Sequence, residues 1–323
     1  MVASPHGKVR IGVGSVGLRT TEPGSEFDEF VDALDHAGVD SLWLPDLVSA
    51  PGVDALVGTT WAAARTRTLK VGTGVTILPG RNPMLLAAEL ASLAVLAPKR
   101  ILPAFGLRAA TPSERQLFPV PGTRAAVLEE SLVVLRRLVS EETVTHHGEF
   151  FTLDDASVAP RPTRPPDLWL GGRAEVGLRR VGRLADGWLG SFLTPDESAR
   201  ARTVIEAAAR DAGRAIDDDH YGTNVTVVLP GDGSDAAAEQ ALHRAAQQRP
   251  DADPEQLVAR GWDGAADLRG GPRAGVGLAA GHVDPRPGLG ETARDHAADT
   301  AGAAGDHGHP AADVEQFGDH DAR

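Results

Sequence analysis

The chain has 323 residues, 41% of them hydrophobic, and a formal net charge of −13. That length holds one large α/β domain or two ordinary ones, with enough apolar content for a sizeable core. The acidic balance argues against bulk nucleic acid or anionic membrane as a partner, and the lack of any cysteine excludes disulfides, thiolate catalysis and Cys-ligated metal centres. No apolar run approaches a membrane span and Met1 to Lys8 lacks a signal peptide's apolar core, so the cytoplasm is the expected compartment.

In chain order, Val9–Gly14 reads as a first strand. A helix follows, with Ser25 as its cap and Phe27, Phe30, Val31 and Leu34 at helical spacing up to Gly38. Ser41–Leu44 is a second strand, closed by Pro45-Asp46. Val53 to Arg65 is helical, with Leu56, Val57, Thr60 and Trp61 on one side, and Leu69–Val75 is a third strand. Asn82-Pro83 opens the next helix as cap and first-turn proline, and Leu86, Leu90, Leu93 and Leu96 carry its buried stripe. Ile101–Phe105 is a fourth strand. These strands do not alternate polar with apolar, which points to a parallel sheet covered by helices.

The rhythm breaks after strand four. Leu107 to Pro121 is irregular, Arg124 to Val139 is a long helix, and Val144–Leu153 reads as an inserted hairpin. The rhythm resumes with strand Leu168–Leu170, helix Ala174 to Leu184, strand Gly187–Leu189, helix Asp196 to Ala212, strand Val225–Leu229 and a weaker helix from Ala236 to Gln247. One more helix and strand would close a (β/α)8 barrel. The 61 residues from Asp263 to Arg323 instead contain 12 Gly, 14 Ala and 9 Asp against only 7 of Val, Leu, Ile and Phe together. The expectation is a barrel domain over 1–262, with an insertion at about 107–166, and a tail over 263–323 that is disordered or the product of a shifted reading frame. The eighth strand is then missing or replaced.

VGTGVTILPGRNP at 71–83, LWLGGR at 168–173 and DGWLGSFLTP at 186–195 resemble the bacterial-luciferase-like family of flavin- and deazaflavin-dependent oxidoreductases. LWLPD at 42–46, AFGL at 104–107, RAAVLEESLVVLRRLVSEE at 124–142 and EFFTL at 149–153 together resemble its actinobacterial F420-dependent branch. The resemblance covers about Val9 to Asp263. It implies a TIM barrel with an insertion after strand four, and a planar cofactor lying across the C-terminal ends of the strands. It also implies a non-proline cis peptide at Gly74–Val75, within a bulge that supports the middle ring of the cofactor.

The residues themselves agree on location, since chemistry in a parallel barrel sits where strands end and loops begin. Gly74, Val75 and Thr76 end strand three, and Gly106 ends strand four. Gly171-Gly172-Arg173 precedes a helix start, where free N–H groups and a guanidinium suit a phosphate. Arg108 is a further candidate for the cofactor's acidic part, or a surface partner of Glu114. Asp46 ends strand two and either hydrogen-bonds the cofactor edge or caps the loop. The family's histidine after this acid is replaced by Leu47, which argues against chemistry needing a base there. Phe192 either walls the substrate space or packs in the core. His146 and His147 face opposite sides of a strand and no histidine group shows ligand spacing, so no metal is expected.

The leading expectation is an F420-dependent enzyme transferring a hydride to or from a small organic substrate. The alternatives are an FMN-dependent monooxygenase of the same fold, and a non-catalytic remnant. Relatives of this kind are commonly homodimers.

Overall fold

The computed structural model describes residues 10–14, 23–48, 52–107, 112–228, 258–260 and 275–280. Strands and helices alternate from the start: β1 (Ile11–Gly14), α1 (Pro23–His36), β2 (Ser41–Leu44), α2 (Ala55–Arg65), β3 (Lys70–Ile77), α3 (Pro83–Leu96) and β4 (Ile101–Gly106). Then come α4 (Pro112–Leu117), α5 (Arg124–Ser140) and the hairpin strands β5 (Val144–His147) and β6 (Thr152–Ala156). The alternation resumes with β7 (Trp169–Gly171), α6 (Glu175–Leu184), β8 (Gly187–Ser191), α7 (Pro195–Asp211) and β9 (Tyr221–Val228), followed by β10 (Val258–Arg260) and β11 (Gly275–Ala280). None of the described helices is long and apolar enough to cross a membrane.

The main sheet is parallel, with neighbours in the order β1, β2, β3, β4, β7, β8, β9 and β11, and β11 returns to β1. This is the expected TIM-type barrel with its insertion after β4. Seven strands coincide with apolar runs in the sequence. The eighth place is filled by Gly275–Ala280, a Gly/Ala-rich segment paired with β1 through Ile11↔Val276 and with β9 through Gly222↔Gly275. Of the two forms in which the sequence left the eighth strand, missing or replaced, this is the second. Ladder hydrogen bonds come from the backbone, so a strand that satisfies its neighbours' N–H and C=O groups leaves no mark in an apolar count. The helix expected at Ala236 to Gln247 lies outside the described residues.

Local chemistry accounts for the helix starts. Asn82 Oδ1 accepts the Met84 and Leu85 N–H groups at 2.9 and 3.3 Å, with Pro83 in the first turn. Thr194 and Glu197 form a reciprocal capping box at α7. Helix α1 begins at Pro23, so Ser25 lies inside its first turn rather than at its cap. On α2 the expected face is also corrected. Val57 and Trp61 are exposed, and Ala55, Gly58, Thr59, Ala62 and Ala63 are buried. A Cβ on Gly58 would stand 2.8 Å from Leu44 Cδ1, so α2 approaches the sheet too closely for its larger residues to face inward. The segment read as irregular after β4 contains α4.

Two cores result. Leu42, Leu44, Val71, Leu90, Leu132 and Leu135 belong to the large cluster between sheet and helices, whereas Trp43, Ala104, Trp169 and Leu189 fill the barrel interior. Trp169 fits because its strand neighbour is Gly187, where a Cβ would come within 2.4 Å of the indole and clash. The hairpin is fixed to α5 by Glu130, whose carboxylate accepts the N–H groups of Glu149, Phe150 and Phe151 at 2.8–3.2 Å and meets His146 Nε2 at 3.1 Å. His147 turns the other way, to Asp154 at 2.6 Å.

Candidate functional site

At the C-terminal end of the barrel β3 carries one residue more than β4 opposes. Gly74 pairs with Ala104 and Thr76 with Phe105, leaving Val75 as the bulged residue. The Gly74–Val75 peptide is cis, at the position expected. The half-buried Val75 side chain reaches across two neighbouring strands. A Cβ on Gly106 would be 2.7 Å from Val75 Cγ2, and one on Gly171 would be 2.8 Å from Val75 Cγ1. Any larger residue at either position would push Val75 aside. Gly74, Val75, Thr76, Gly106 and Gly171 are thereby brought together at one end of the barrel.

Beyond Gly171 the backbone stays open. Gly172 has φ 143°, and no atom lies within 4 Å of where its Cβ would be. Its carbonyl is held by the Trp188 indole N–H at 2.8 Å. Helix α6 then starts at Glu175 with no side-chain cap from Ala174, which leaves its first-turn N–H groups to other acceptors. Arg173 is exposed beside this start. Phe192, the first residue after β8, is half-buried in the left-handed region with φ 57°, an uncommon conformation for an aromatic residue. Below it, Asn224 Nδ2 donates to Ser191 Oγ at 2.9 Å. Arg108 lies outside the described residues.

Asp46 is 2% exposed and faces the end of β3. Its Oδ2 accepts the Ile77 N–H at 3.1 Å and the Arg81 Nη2 at 2.7 Å. These contacts tie the end of β2 to the end of β3 and to Arg81. Arg81 was not singled out in the sequence, although it stands within the 71–83 segment. Residue spacing carries no sign that an arginine before the α3 cap returns to the end of β2. Arg124, whose Nη2 donates to Leu107 O at 2.8 Å and secures the loop after β4, is equally silent in the sequence.

Comparison with known proteins adds the family. The chain is 33% identical over 177 residues to the F420-dependent glucose-6-phosphate dehydrogenase of Kineococcus radiotolerans, 52% of each chain. It spans about half the length of the curated relatives it matches. Its backbone is similar to an F420-dependent secondary alcohol dehydrogenase in complex with an F420–acetone adduct, with a TM-score of 0.70 and 19% identity over 85% of this chain and 95% of that one. It is also similar to the FMN-bound oxygenating constituent of 3,6-diketocamphane monooxygenase from Pseudomonas putida, with a TM-score of 0.66 and 16% identity over 84% and 91%. At those identities the likeness is one of fold alone. The model of the luciferase-like monooxygenase family matches residues 7–316. With its bulged third strand at the mouth of a parallel barrel, the chain belongs to the luciferase-like monooxygenase family.

Proposed function

We propose that the chain is an F420-dependent oxidoreductase that exchanges a hydride between the deazaflavin and a small organic substrate. The observation that carries this reading is the Val75 bulge braced between Gly106 and Gly171, a shelf without large side chains at the end of a barrel where cofactors sit. The residues fit a planar ring with a phosphate-bearing tail. Gly74, Val75 and Thr76 would face the ring, Gly106 and Gly171 keep the shelf flat, and Gly172, Arg173 and the uncapped start of α6 would meet the phosphate. Arg108 is retained as a further contact to the acidic tail. Curated relatives named for F420 dependence support this choice of cofactor.

When bound, the deazaflavin supplies the redox chemistry. The protein's part is placement. Asp46 acts through Ile77, holding the end of β3 in register. Phe192 walls the substrate space in its constrained conformation. The exposed Val57 and Trp61, one turn apart on α2, support association as a homodimer.

The likeness to an FMN-bound oxygenase keeps a second reading, an FMN-dependent monooxygenase on the same shelf. Titration of the purified protein with F420 and with FMN, following ring absorbance, separates them. Saturation by F420 without oxygen uptake is expected. Retention of FMN with flavin-dependent oxygen consumption favours the second reading, and binding of neither cofactor would identify a non-catalytic remnant.

A further inference from the structure

The opposite, N-terminal end of the barrel holds a cavity of its own. An outer chamber of about 380 Å³ is lined by Lys70, Lys99, Arg164, Asp167, Asp217 and His220, among others. An inner chamber of about 50 Å³ reaches Trp43, Leu102, Trp169 and Leu189 inside the barrel. Arg10, Lys70, Leu102, Asp219 and His220 line both. Room for about one water needs some 10–15 Å³ on this scale, so the inner chamber admits several waters or one small solute.

Trp169 marks what the inner chamber lacks. It is 5% exposed, and its indole N–H has no acceptor among the described residues. The other described tryptophans all have one: Trp43 donates to Ser41 Oγ at 2.9 Å, Trp61 to Asp28 at 2.5 Å and Trp188 to Gly172 O at 2.8 Å. Buried indole N–H groups are normally satisfied, by protein or by a bound species.

Charge points the same way. Among the described residues no carboxylate comes within salt-bridge distance of Lys70. Burial, with the positive charge of Arg10, holds its ammonium below the usual lysine range despite Asp219, Asp167 and Asp40 nearby. Those acids have other partners: Asp219 meets Arg10 at 2.6 Å, Asp167 meets Arg164 at 3.6 Å and Asp40 accepts the Ile11 N–H at 2.9 Å. Asp217, Asp219 and His220 also lie close enough together to suggest a cation, but the Arg10 guanidinium already occupies that role at Asp219. His220 Nδ1 faces the Asp186 carbonyl at 2.8 Å, which makes Nδ1 the protonated nitrogen and turns Nε2 toward Asp167 and Asp219, 3.9 Å from each.

We propose that this opening binds a small monocarboxylate of about acetate size, one oxygen accepting from the Trp169 indole N–H, the charge met by Lys70, and the methyl group against Leu102 and Leu189. A carboxylate fits better than a larger tetrahedral oxyanion because the inner walls are apolar and the chamber is small. The site is at the far end of the barrel from the cofactor shelf, and its occupancy is read without any cofactor, so it stands or falls independently of the proposed activity.

The test is a titration of the full-length protein with sodium acetate against sodium chloride at matched ionic strength. The readout is the indole N–H resonances, with that of Trp169 assigned through Trp169→Phe. Acetate is expected to shift the Trp169 resonance saturably in the millimolar range while those of Trp61 and Trp188 stay in place. Lys70→Gln should weaken the effect about tenfold or more, and Lys70→Arg should retain most of it. Sodium phosphate run in parallel should shift it far less. No saturable acetate shift, an equal response to phosphate, or a response unchanged in Lys70→Gln would overturn the proposal. In the first case the chamber holds water alone.

Discussion

The Asp46 carboxylate and the Arg81 guanidinium meet at 2.7 Å, and together they hold both backbone groups of Ile77. Its N–H donates to Asp46 at 3.1 Å and its carbonyl accepts from Arg81 Nε at 3.1 Å. Ile77 ends the strand that carries the Val75 bulge, so the pair sets where that strand stops. Arg81 also lies over the Phe118 ring at 5.8 Å, tying the same clamp to the segment after α4. Replacing Arg81 with Ala would remove this ion pair from a buried carboxylate. The expected loss is roughly 2–3 kcal/mol in urea unfolding, at or below the low end for buried pairs because the guanidinium keeps some water. Arg81→Ala combined with Asp46→Asn should recover part of it. A single-variant change within about 0.5 kcal/mol would show that the pair does not hold the strand.

The bulge can be tested by filling space. Gly171→Ala or Gly106→Ala puts a methyl where Val75 now sits. Overpacking of this kind costs about 1–3 kcal/mol, and the displaced Val75 should lower cofactor affinity about tenfold or more. Val75→Ala on the Gly171→Ala background removes the clash and should restore much of the binding. Affinity that falls equally in the single and double variants would point to a role for Gly171 unrelated to Val75.

Arg173 and Arg179 form an internal contrast on one loop and helix. Arg173→Ala should weaken cofactor binding by roughly 1.5–3 kcal/mol, the worth of a charge-assisted bond to phosphate. Arg179 is occupied in an exposed pair with Glu175 at 2.6 Å, and its removal should change affinity and stability by less than about 0.5 kcal/mol. Equal effects of the two substitutions in a fluorescence titration would take Arg173 out of the site.

The inserted hairpin should loosen in acid. Burial alone would raise the Glu130 carboxyl, but the Phe151 N–H, the His146 ring and the Phe150 and Glu149 N–H groups outweigh it and hold it below the usual glutamate range. A carboxylate lowered in the folded state contributes stability above its unfolded value of about 4.3 and loses it as pH falls through the folded value. Amide exchange at Glu149–Phe151 should therefore accelerate below about pH 4, relative to α3 as an internal standard. Glu130→Gln should show the faster exchange already at neutral pH. A flat profile would mean that other contacts hold the hairpin.

The eighth strand is open to a backbone test. Leu278 is paired with Val13 on one side and Val225 on the other. Proline at 278 removes a ladder donor from a strand with two neighbours, and about 3 kcal/mol or more of stability should go with it. Unfolding indistinguishable from wild type would show that β11 adds nothing to closure.

Much of the barrel was legible because apolar strands and capped helices leave local signatures. Asn82-Pro83 announced α3, and the order of the matching segments pointed to the fold and to the location of the bulge. What escaped was carried by long-range contact. The inward face of α2 follows from Gly58 pressing on Leu44, which a search for large apolar residues reads the wrong way round. The Gly/Ala-rich β11 is held by backbone pairing with β1 and β9. The Asp46–Arg81 clamp joins residues 35 positions apart with no periodicity between them. At the site, the sequence singled out Gly106 and Gly171 as candidates, and the structure shows the room they leave for Val75.

The end of the barrel around Val75 is the proposed seat of a deazaflavin ring. The most direct measurement is equilibrium binding of F420 to the wild-type protein, to Gly171→Ala and to the Gly171→Ala/Val75→Ala pair, followed by cofactor fluorescence. Saturable binding by wild type, a loss of about tenfold or more in the single variant, and recovery in the double variant are expected. Failure of the folded wild-type protein to bind F420, or binding that ignores both substitutions, would contradict that placement.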